Sequence, residues 1–152
     1  MIVTPVRPMG RKWRNLSFSS TLYLAPVLDL LVSEAPLLWQ PELRLGLQEA
    51  LVNAVKHGNS LDPCKQINVS FTKLHQDSTQ IYWWIIQDQG SDRQDDSPEH
   101  RKNGDPTPCH DLECGRGFYI LRKIFEQVTW DYERHQLTLC KRIDPKAKPL
   151  ID

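Results

Sequence analysis

The feature that most constrains the fold is an unbroken run of apolar and aromatic side chains in QIYWWIIQD, residues 80–88. Every position from Ile81 to Ile86 is apolar or aromatic. A strand with one solvated face alternates apolar and polar residues, whereas a strand covered on both faces does not. The run therefore predicts a central β-strand that ends at the polar tripeptide Asp88-Gln89-Gly90.

Periodic patterns elsewhere in the chain predict the remaining elements. Residues 65–74 alternate as a strand with one buried face does, and residues 11–20 suit an edge strand. The other predicted elements are a helix over 22–35, a helix from Pro41 to a left-handed cap at Gly58-Asn59, a helix over 115–128 and a hairpin over 129–142 that turns near Arg134-His135. Helices segregated from a mixed, mostly antiparallel sheet predict an α+β fold, a two-layer α/β sandwich with about three helices on one face.

Length and charge limit the class of protein. The 152 residues predict one domain over 1–152, with its core at about 11–143 and a polar, frayed tail over 144–152. The formal net charge is zero, which favours neither nucleic acid nor an anionic membrane as a partner. The N-terminal segment lacks the apolar region of a secretory signal, and no apolar stretch is long enough to span a bilayer. We therefore expect a cytoplasmic protein without direct nucleic-acid or membrane contact.

The composition changes abruptly at residues 91–114. This segment holds three prolines, seven acids, three basic residues and a single leucine. It cannot bury enough apolar area to offset the entropy of ordering it. A long loop inside a compact domain is usually a functional lid or a disordered segment. We interpret residues 91–114 as a lid.

The four cysteines favour free thiols over a metal site. They stand at positions 64, 109, 114 and 140, without a CxxC pair. Cys109, His110 and Cys114 offer metal-ligating atoms, but their spacing fits no common zinc pattern. A redox or metal-sensing protein built on these three residues is the weakest of the alternatives.

A line of polar side chains runs along the helix in LQEALVNAVKHGN, residues 47–59. Glu49, Asn53 and His57 are spaced four apart, so they share one edge of the helix. The small residues Gly46 and Ala50 adjoin that edge and leave space for another group to approach. A solvated face explains this line as well as a ligand site does, so the helix alone does not decide between them.

Two glycine-containing segments favour the ligand site. Asp88 and Gly90 end the predicted central strand, where a carboxylate accepts a hydrogen bond from an exocyclic amine and a glycine lets a flat ring come close. Gly115-Arg116-Gly117 joins the lid to a helix, and helix N-termini bind anions such as phosphate. Each motif alone is weak, but their order along the chain together with Glu49 and Asn53 is specific.

This ordered set resembles the GHKL ATPase and kinase superfamily, which includes gyrase, the heat-shock chaperone ATPase and histidine-kinase catalytic domains. Within it, the chain is most similar to the small bacterial anti-sigma-factor serine/threonine kinases. The matching motifs are EALVNAVKHGN as the N-box, QDQG as the first glycine box and GRGFYILRKIFEQVTW as the second. The resemblance implies the Bergerat fold, with 91–114 as the ATP lid.

The resemblance also implies a role for each matching residue. Asn53 would coordinate Mg²⁺, and Glu49 would be the general base. Asp88 would bind the adenine amine, with Gly90 making room for the ring. The remaining expected nucleotide-binding residues are Gly115, Arg116, Gly117 and Thr138, the last through a water, whereas His57 is expected to be structural.

The implied function is an ATP- and Mg²⁺-dependent serine/threonine kinase that acts as an anti-sigma factor or partner-switch regulator. Its expected partners are a sigma factor and a small anti-sigma-factor antagonist that it phosphorylates. Members of the subgroup are commonly dimers, whereas the sequence itself leaves the oligomeric state open. Asp92 replaces the second glycine of the superfamily's D-x-G-x-G motif, and the lid has four more acids than bases. Both departures favour the alternative of a non-catalytic, nucleotide-sensing binding module.

Overall fold

The computed structural model describes residues 12–90 and 112–151, and of residues 112–116 it describes the backbone alone. Most of the predicted lid therefore lies outside the described residues, as do residues 1–11. The described strands are β1 (Arg14–Ser19), β2 (Gln66–Gln76), β3 (Thr79–Gln87), β4 (Gln127–Asp131) and β5 (Gln136–Ile143). The helices are α1 (Ala25–Val32), α2 (Gln40–Asn53) and α3 (Leu112–Ile124), with a 3₁₀ turn at Leu37–Trp39 and a π-helical turn at Ala54–Gly58.

The strands form one five-stranded sheet in the order β1-β2-β3-β5-β4. Each of the four described strand pairs is antiparallel. β3 occupies the middle of the sheet, as its continuous apolar run predicts. The predicted order of elements along the chain is also confirmed.

The helices and one face of the sheet enclose a single core. The buried stripe of α2 faces the sheet residues Tyr82, Trp84 and Ile86. Trp84, only 1% exposed, packs edge-on against Phe125 at 5.7 Å between ring centroids, and its Nε1 donates to the carbonyl of Leu31 at 3.3 Å. Core residues from all three helices therefore meet one face of β3. The α+β, two-layer sandwich predicted from the sequence is confirmed.

The other face of β3 is also largely buried. Ile81 and Ile85 alternate with the core residues and are 7% and 6% exposed, respectively. This burial on both faces explains why the strand shows no polar alternation. Among the described residues, no helix combines the length and the apolar character needed to cross a membrane.

The C-terminal elements differ from the prediction at one boundary. α3 ends at Ile124 rather than at residue 128, and Val128 lies in β4, opposite Leu139. Val128 fits the helical spacing of Leu121 and Phe125 as well as it fits a strand, so the sequence pattern does not mark the boundary. The hairpin turn covers residues 132–135 and includes the predicted turn residues Arg134 and His135.

A buried charge pair joins α2 to β5. Glu42, 0% exposed, lies with its Oε2 4.0 Å from the Nζ of Lys141, which is 6% exposed. Lys141 also donates to the carbonyl of Ile124 at 2.6 Å, at the end of α3. The tail is tied to the same cluster, because the Leu150 N–H donates to Glu42 Oε1 at 3.4 Å. Residues 144–151 are thus attached at this point rather than frayed throughout.

We expect removal of the Lys141 charge to destabilise the protein strongly. Lys141→Met leaves the Glu42 carboxylate buried without its counter-charge, which costs about 3–5 kcal/mol in comparable buried pairs. The double variant Glu42→Leu/Lys141→Met should regain most of that loss, because neither partner is then charged. Urea unfolding of both variants, with the exposed Lys146→Met as control, measures the difference. Equal losses in the single and double variants would contradict this account.

Candidate functional site

Glu49 and Asn53 converge on the backbone of α3. A Cβ atom added to Gly117 would lie 3.1 Å from Asn53 Nδ2 and 3.4 Å from Glu49 Oε2. Gly117 itself is buried. The carboxylate and the amide therefore meet the second glycine of the Gly115-Arg116-Gly117 motif, and we call Glu49, Asn53 and Gly117 the acid–amide cluster. The polar line on α2 does not face open solvent.

Close packing of α2 against α3 creates this meeting point. A Cβ atom on Gly46 would lie 2.6 Å from Phe125 Cε2 and 3.2 Å from Ile124 Cδ1. The space predicted beside Gly46 is thus occupied by the side chains of Ile124, the last residue of α3, and of Phe125, which follows it. A larger residue at position 46 would push the two helices apart. Gly46 therefore contributes to the site indirectly, by fixing how closely Gly117 approaches Glu49 and Asn53.

The last turn of the α2 helix is wider than an α-turn. The Asn59 N–H donates to the carbonyl of Ala54 at 2.8 Å, five residues back, in the π-helical turn over Ala54–Gly58. Such turns interrupt the four-residue spacing and occur often at functional sites. His57 lies within this turn, so its position relative to Asn53 is set by π-helical rather than by regular α-helical spacing. Gly58 is the residue of this turn that meets the end of β3.

Asp88 is packed directly onto that turn. Its side chain is only 2% exposed, and a Cβ atom on Gly58 would lie 2.1 Å from Asp88 Oδ2. The Gly90 N–H donates to Asp88 Oδ1 at 2.8 Å, and a Cβ atom on Gly90 would lie 2.9 Å from that oxygen. Both glycines are required for space, because a side chain at either position would overlap the carboxylate.

The predicted left-handed cap lies further along the chain. The described non-glycine residues with positive φ in this region are Ser60, at 52°, and Leu61, at 60°. Asn59 has φ −88° and is fully buried. Its side chain donates to the carbonyl of Gln66 at 3.0 Å and accepts from the Gln89 N–H at 2.7 Å. Asn59 therefore joins the helix end to β2 and to the Asp88 turn, a role that its place after a helix did not reveal.

The hairpin between β4 and β5 completes the surroundings of Asp88. The Asp88 N–H donates to the carbonyl of His135 at 3.2 Å, and His135 Nδ1 lies 3.8 Å from Asp88 Oδ1. We call Asp88, Gly58, Gly90 and His135 the Asp88 cluster. Sequence reasoning placed His135 in a turn and gave it no role in the site.

Other predicted site residues lie outside these two clusters. Thr138 stands between the core residues Leu137 and Leu139, so strand alternation directs it to the sheet face away from the helices. The structure thus does not bring Thr138 to Asp88. Gly115 lies inside α3, which begins at Leu112 rather than at the glycines, and the side chain of Arg116 is outside the described part.

The metal-sensing alternative receives no support from the described residues. Cys109 and His110 lie outside them, as does the Cys114 side chain, and no group of three His, Cys, Asp or Glu residues within them is arranged to hold a metal. Cys64 and Cys140 are free thiols. Burial, and secondarily Glu126, raises the pKa of Cys140 to about 11, so its thiol is neutral near pH 7 and is a poor nucleophile or metal ligand.

Both clusters include residues of α2 or of the π-helical turn that follows it. Glu49 and Gly58 are separated along this helical segment by about 13 Å at an axial rise of about 1.5 Å per residue. One end of the segment carries a carboxylate and an amide oxygen, which suit proton transfer and a hard cation. The other end carries a buried carboxylate beside two glycines, which suits an amine-bearing flat ring. The arrangement fits an elongated ligand with a ring at one end and anionic groups at the other.

We expect Gly58→Ala to destabilise the protein. The new methyl group would overlap the Asp88 carboxylate, which its neighbours prevent from moving freely, and overpacking of this kind costs about 1–3 kcal/mol. The matched control is Lys56→Ala, an exposed position in the same turn, which should change the free energy of unfolding by less than about 0.5 kcal/mol. Chemical denaturation compares the two. A loss no larger than the control's would contradict the close contact between Gly58 and Asp88.

The chain is similar to a known protein family. A family model described as "Histidine kinase-like ATPase domain" matches residues 27–141, which is more than half of the chain. The matched range begins in α1, ends in β5 and includes both clusters. No curated protein sequence matches the chain. On the strength of the family model, the chain belongs to the histidine kinase-like ATPase domain family.

Proposed function

We propose that the protein is an ATP- and Mg²⁺-dependent serine/threonine protein kinase that acts as an anti-sigma factor or partner-switch regulator. ATP binding is implied by the family. The serine/threonine specificity and the regulatory role rest on the resemblance of the sequence motifs. The observation that carries the proposal is the position of the Glu49 carboxylate and the Asn53 amide, together against the backbone of Gly117.

The residues fit a nucleotide in one orientation. Asp88 accepts a hydrogen bond from the exocyclic amine of adenine, and Gly90 leaves room for the ring. The phosphates then lie toward the acid–amide cluster, where Gly117 has no side chain to exclude them. The amide oxygen of Asn53 is a hard ligand suited to Mg²⁺. Gly115 and Arg116 remain expected phosphate-binding residues.

When bound, ATP would supply the phosphoryl group, and Mg²⁺ would offset the negative charge of the phosphate oxygens during its transfer. The acceptor hydroxyl oxygen forms a bond to the γ-phosphorus while the bond from that phosphorus to the bridging oxygen breaks and ADP leaves. The protein's part is mainly positioning. Glu49 accepts the hydroxyl proton at its carboxylate, and its place one turn from Asn53 puts the base beside the proposed Mg²⁺ ligand.

The described surface supports a protein partner. Tyr23, Leu37 and Leu38, which flank α1, are 75%, 83% and 62% exposed. Leu37 and Leu38 are adjacent in the chain, and exposed apolar side chains that form a patch are typical of protein interaction sites. A sigma factor, a small anti-sigma-factor antagonist and a second copy of the chain are the proposed partners. The antagonist is the proposed phosphoryl acceptor.

We expect Glu49→Gln to abolish phosphoryl transfer without abolishing nucleotide binding. The change keeps the size of the side chain and removes the basic oxygen, so transfer from labelled ATP to an antagonist should fall about 10²–10⁴-fold. Mg-ATP affinity by calorimetry should stay within about threefold of wild type, since Asp88 and Asn53 are unchanged. Gln48→Ala, an exposed neighbour on α2, is the control. Undiminished transfer in Glu49→Gln would exclude the proposed base.

We expect nucleotide affinity to depend on Mg²⁺ through Asn53. In the wild type, chelation with EDTA should weaken ATP binding about tenfold or more, a change of about 1.4 kcal/mol. In Asn53→Ala, ATP affinity in the presence of Mg²⁺ should already be as weak as that of the wild type in EDTA. Adding EDTA to this variant should therefore change its ATP affinity little. Calorimetric titrations with and without the metal measure this. An EDTA response of wild-type size in Asn53→Ala would show that the metal is held elsewhere.

The alternative is a non-catalytic, nucleotide-sensing binding module of the same fold. It was motivated by Asp92 and the acidic segment, which lie outside the described residues except for the last three positions of 91–114. The same assays separate the two functions. Mg-ATP binding without transfer to any antagonist by the wild type would favour the binding module.

A further inference from the structure

The turn between β4 and β5 is fastened to the end of β3. The Asp88 N–H donates to the His135 carbonyl at 3.2 Å, and Gln87 Nε2 donates to the Arg134 carbonyl at 3.1 Å. Within the turn, the N–H groups of Glu133 and Arg134 donate to Asp131 Oδ1. The backbone of this turn is therefore fixed both by its own hydrogen bonds and by those to β3. His135 is held against Asp88 as a consequence.

His135 occupies a backbone conformation that suits glycine better. Its φ is 52°, in the left-handed region, where a side chain other than glycine costs roughly 1 kcal/mol or more. Hairpin turns usually place glycine or asparagine at such a position. The turn hydrogen bonds given above are made by backbone groups and the Asp131 side chain and do not use the imidazole. The left-handed conformation of His135 costs conformational free energy that the turn hydrogen bonds do not explain. This indicates a role for the His135 side chain.

The imidazole lies at the Asp88 carboxylate. Its Nδ1 is 3.8 Å from Asp88 Oδ1 and would be 3.2 Å from a Cβ atom on Gly90. The His135 side chain is 27% exposed, whereas that of Asp88 is 2% exposed. The ring therefore lies beside the carboxylate on the Oδ1 side, while Gly58 lies against Oδ2.

We propose that His135 is a positioning residue for base recognition, which holds the Asp88 carboxylate in the orientation that accepts an exocyclic purine amine. The inference rests on the nucleotide-binding part of the proposed function. Gly58 limits movement on the Oδ2 side, the Gly90 N–H donates to Oδ1, and the imidazole beside Oδ1 limits rotation of the carboxylate. A carboxylate so held favours ATP over GTP, because GTP carries an oxo group where ATP carries the amine, and two acceptors then face each other.

Two substitutions at position 135 distinguish the positioning of Asp88 by the imidazole from an effect on the structure of the turn. His135→Gly removes the imidazole and also relieves the left-handed strain. His135→Asn tolerates the left-handed conformation and places an amide nitrogen where Nδ1 stood. The matched control is Asp77→Gly. Asp77 has φ 55° in the β2–β3 turn, at the other end of β3 from Asp88.

The measurements are ATP and GTP affinities by calorimetry and the melting temperature of each variant. His135→Gly should weaken ATP binding about tenfold, which corresponds to about 1.4 kcal/mol, and lower the ATP-to-GTP preference without lowering the melting temperature. His135→Asn should bind ATP within about threefold of wild type. Asp77→Gly should leave both affinities unchanged.

Three results would overturn the proposal: wild-type affinity and preference in His135→Gly, a melting temperature lowered together with affinity, or no rescue in His135→Asn. Because the assay needs only nucleotide binding, it is independent of the proposed kinase activity. If the wild type binds ATP but transfers no phosphoryl group, the proposed kinase activity is excluded and the proposed role of His135 is unaffected. If the wild type binds no ATP, both proposals are excluded.

Discussion

The site depends on how closely the end of α2 approaches the end of β3. The Asp88 carboxylate occupies the space where a side chain at Gly58 would begin, and the buried amide of Asn59 ties the same two segments together. Since Glu49 and Asn53 are on the same helix, this contact also sets their distance from Asp88. Any shift of the helix end would move the acid–amide cluster and the Asp88 cluster relative to each other. The geometry of an elongated ligand site thus follows from one glycine–carboxylate contact.

The main features of the fold follow from patterns that the sequence displays directly. The unbroken apolar run over Ile81–Ile86 predicts a strand buried on both faces, and β3 is the middle strand. Among the site residues, Glu49 and Asn53 were identified because an α-helix places residues four apart on one edge. Gly117 was identified from the glycine motif, and the structure brings it to the same two side chains.

The remaining features depend on contacts that no local pattern records. The π-helical turn at Ala54–Gly58 replaces the regular helix that the sequence pattern predicts, and Gly58 packs against Asp88 rather than serving only as a cap. Val128 fits both helical and strand periodicity, and only its pairing with Leu139 shows that it belongs to β4. His135 and Asp88 are far apart in the sequence, and strand order alone brings them together. Tertiary packing overrides local periodicity at each of these positions.

The antiparallel topology places the buried charge pair and the candidate site at opposite ends of the sheet. Because β3 runs antiparallel to both of its neighbours, its C-terminal end lies beside the first residues of β2 and β5, which brings Asn59, Gln66 and His135 to Asp88. Lys141 and Glu42 lie toward the opposite end, where β5 pairs with Tyr82 near the start of β3. The charge pair therefore joins α2 to β5 away from the site. The end that carries the site instead contains the close contacts of Gly58 and Gly90 with Asp88, where a larger side chain would overlap the carboxylate.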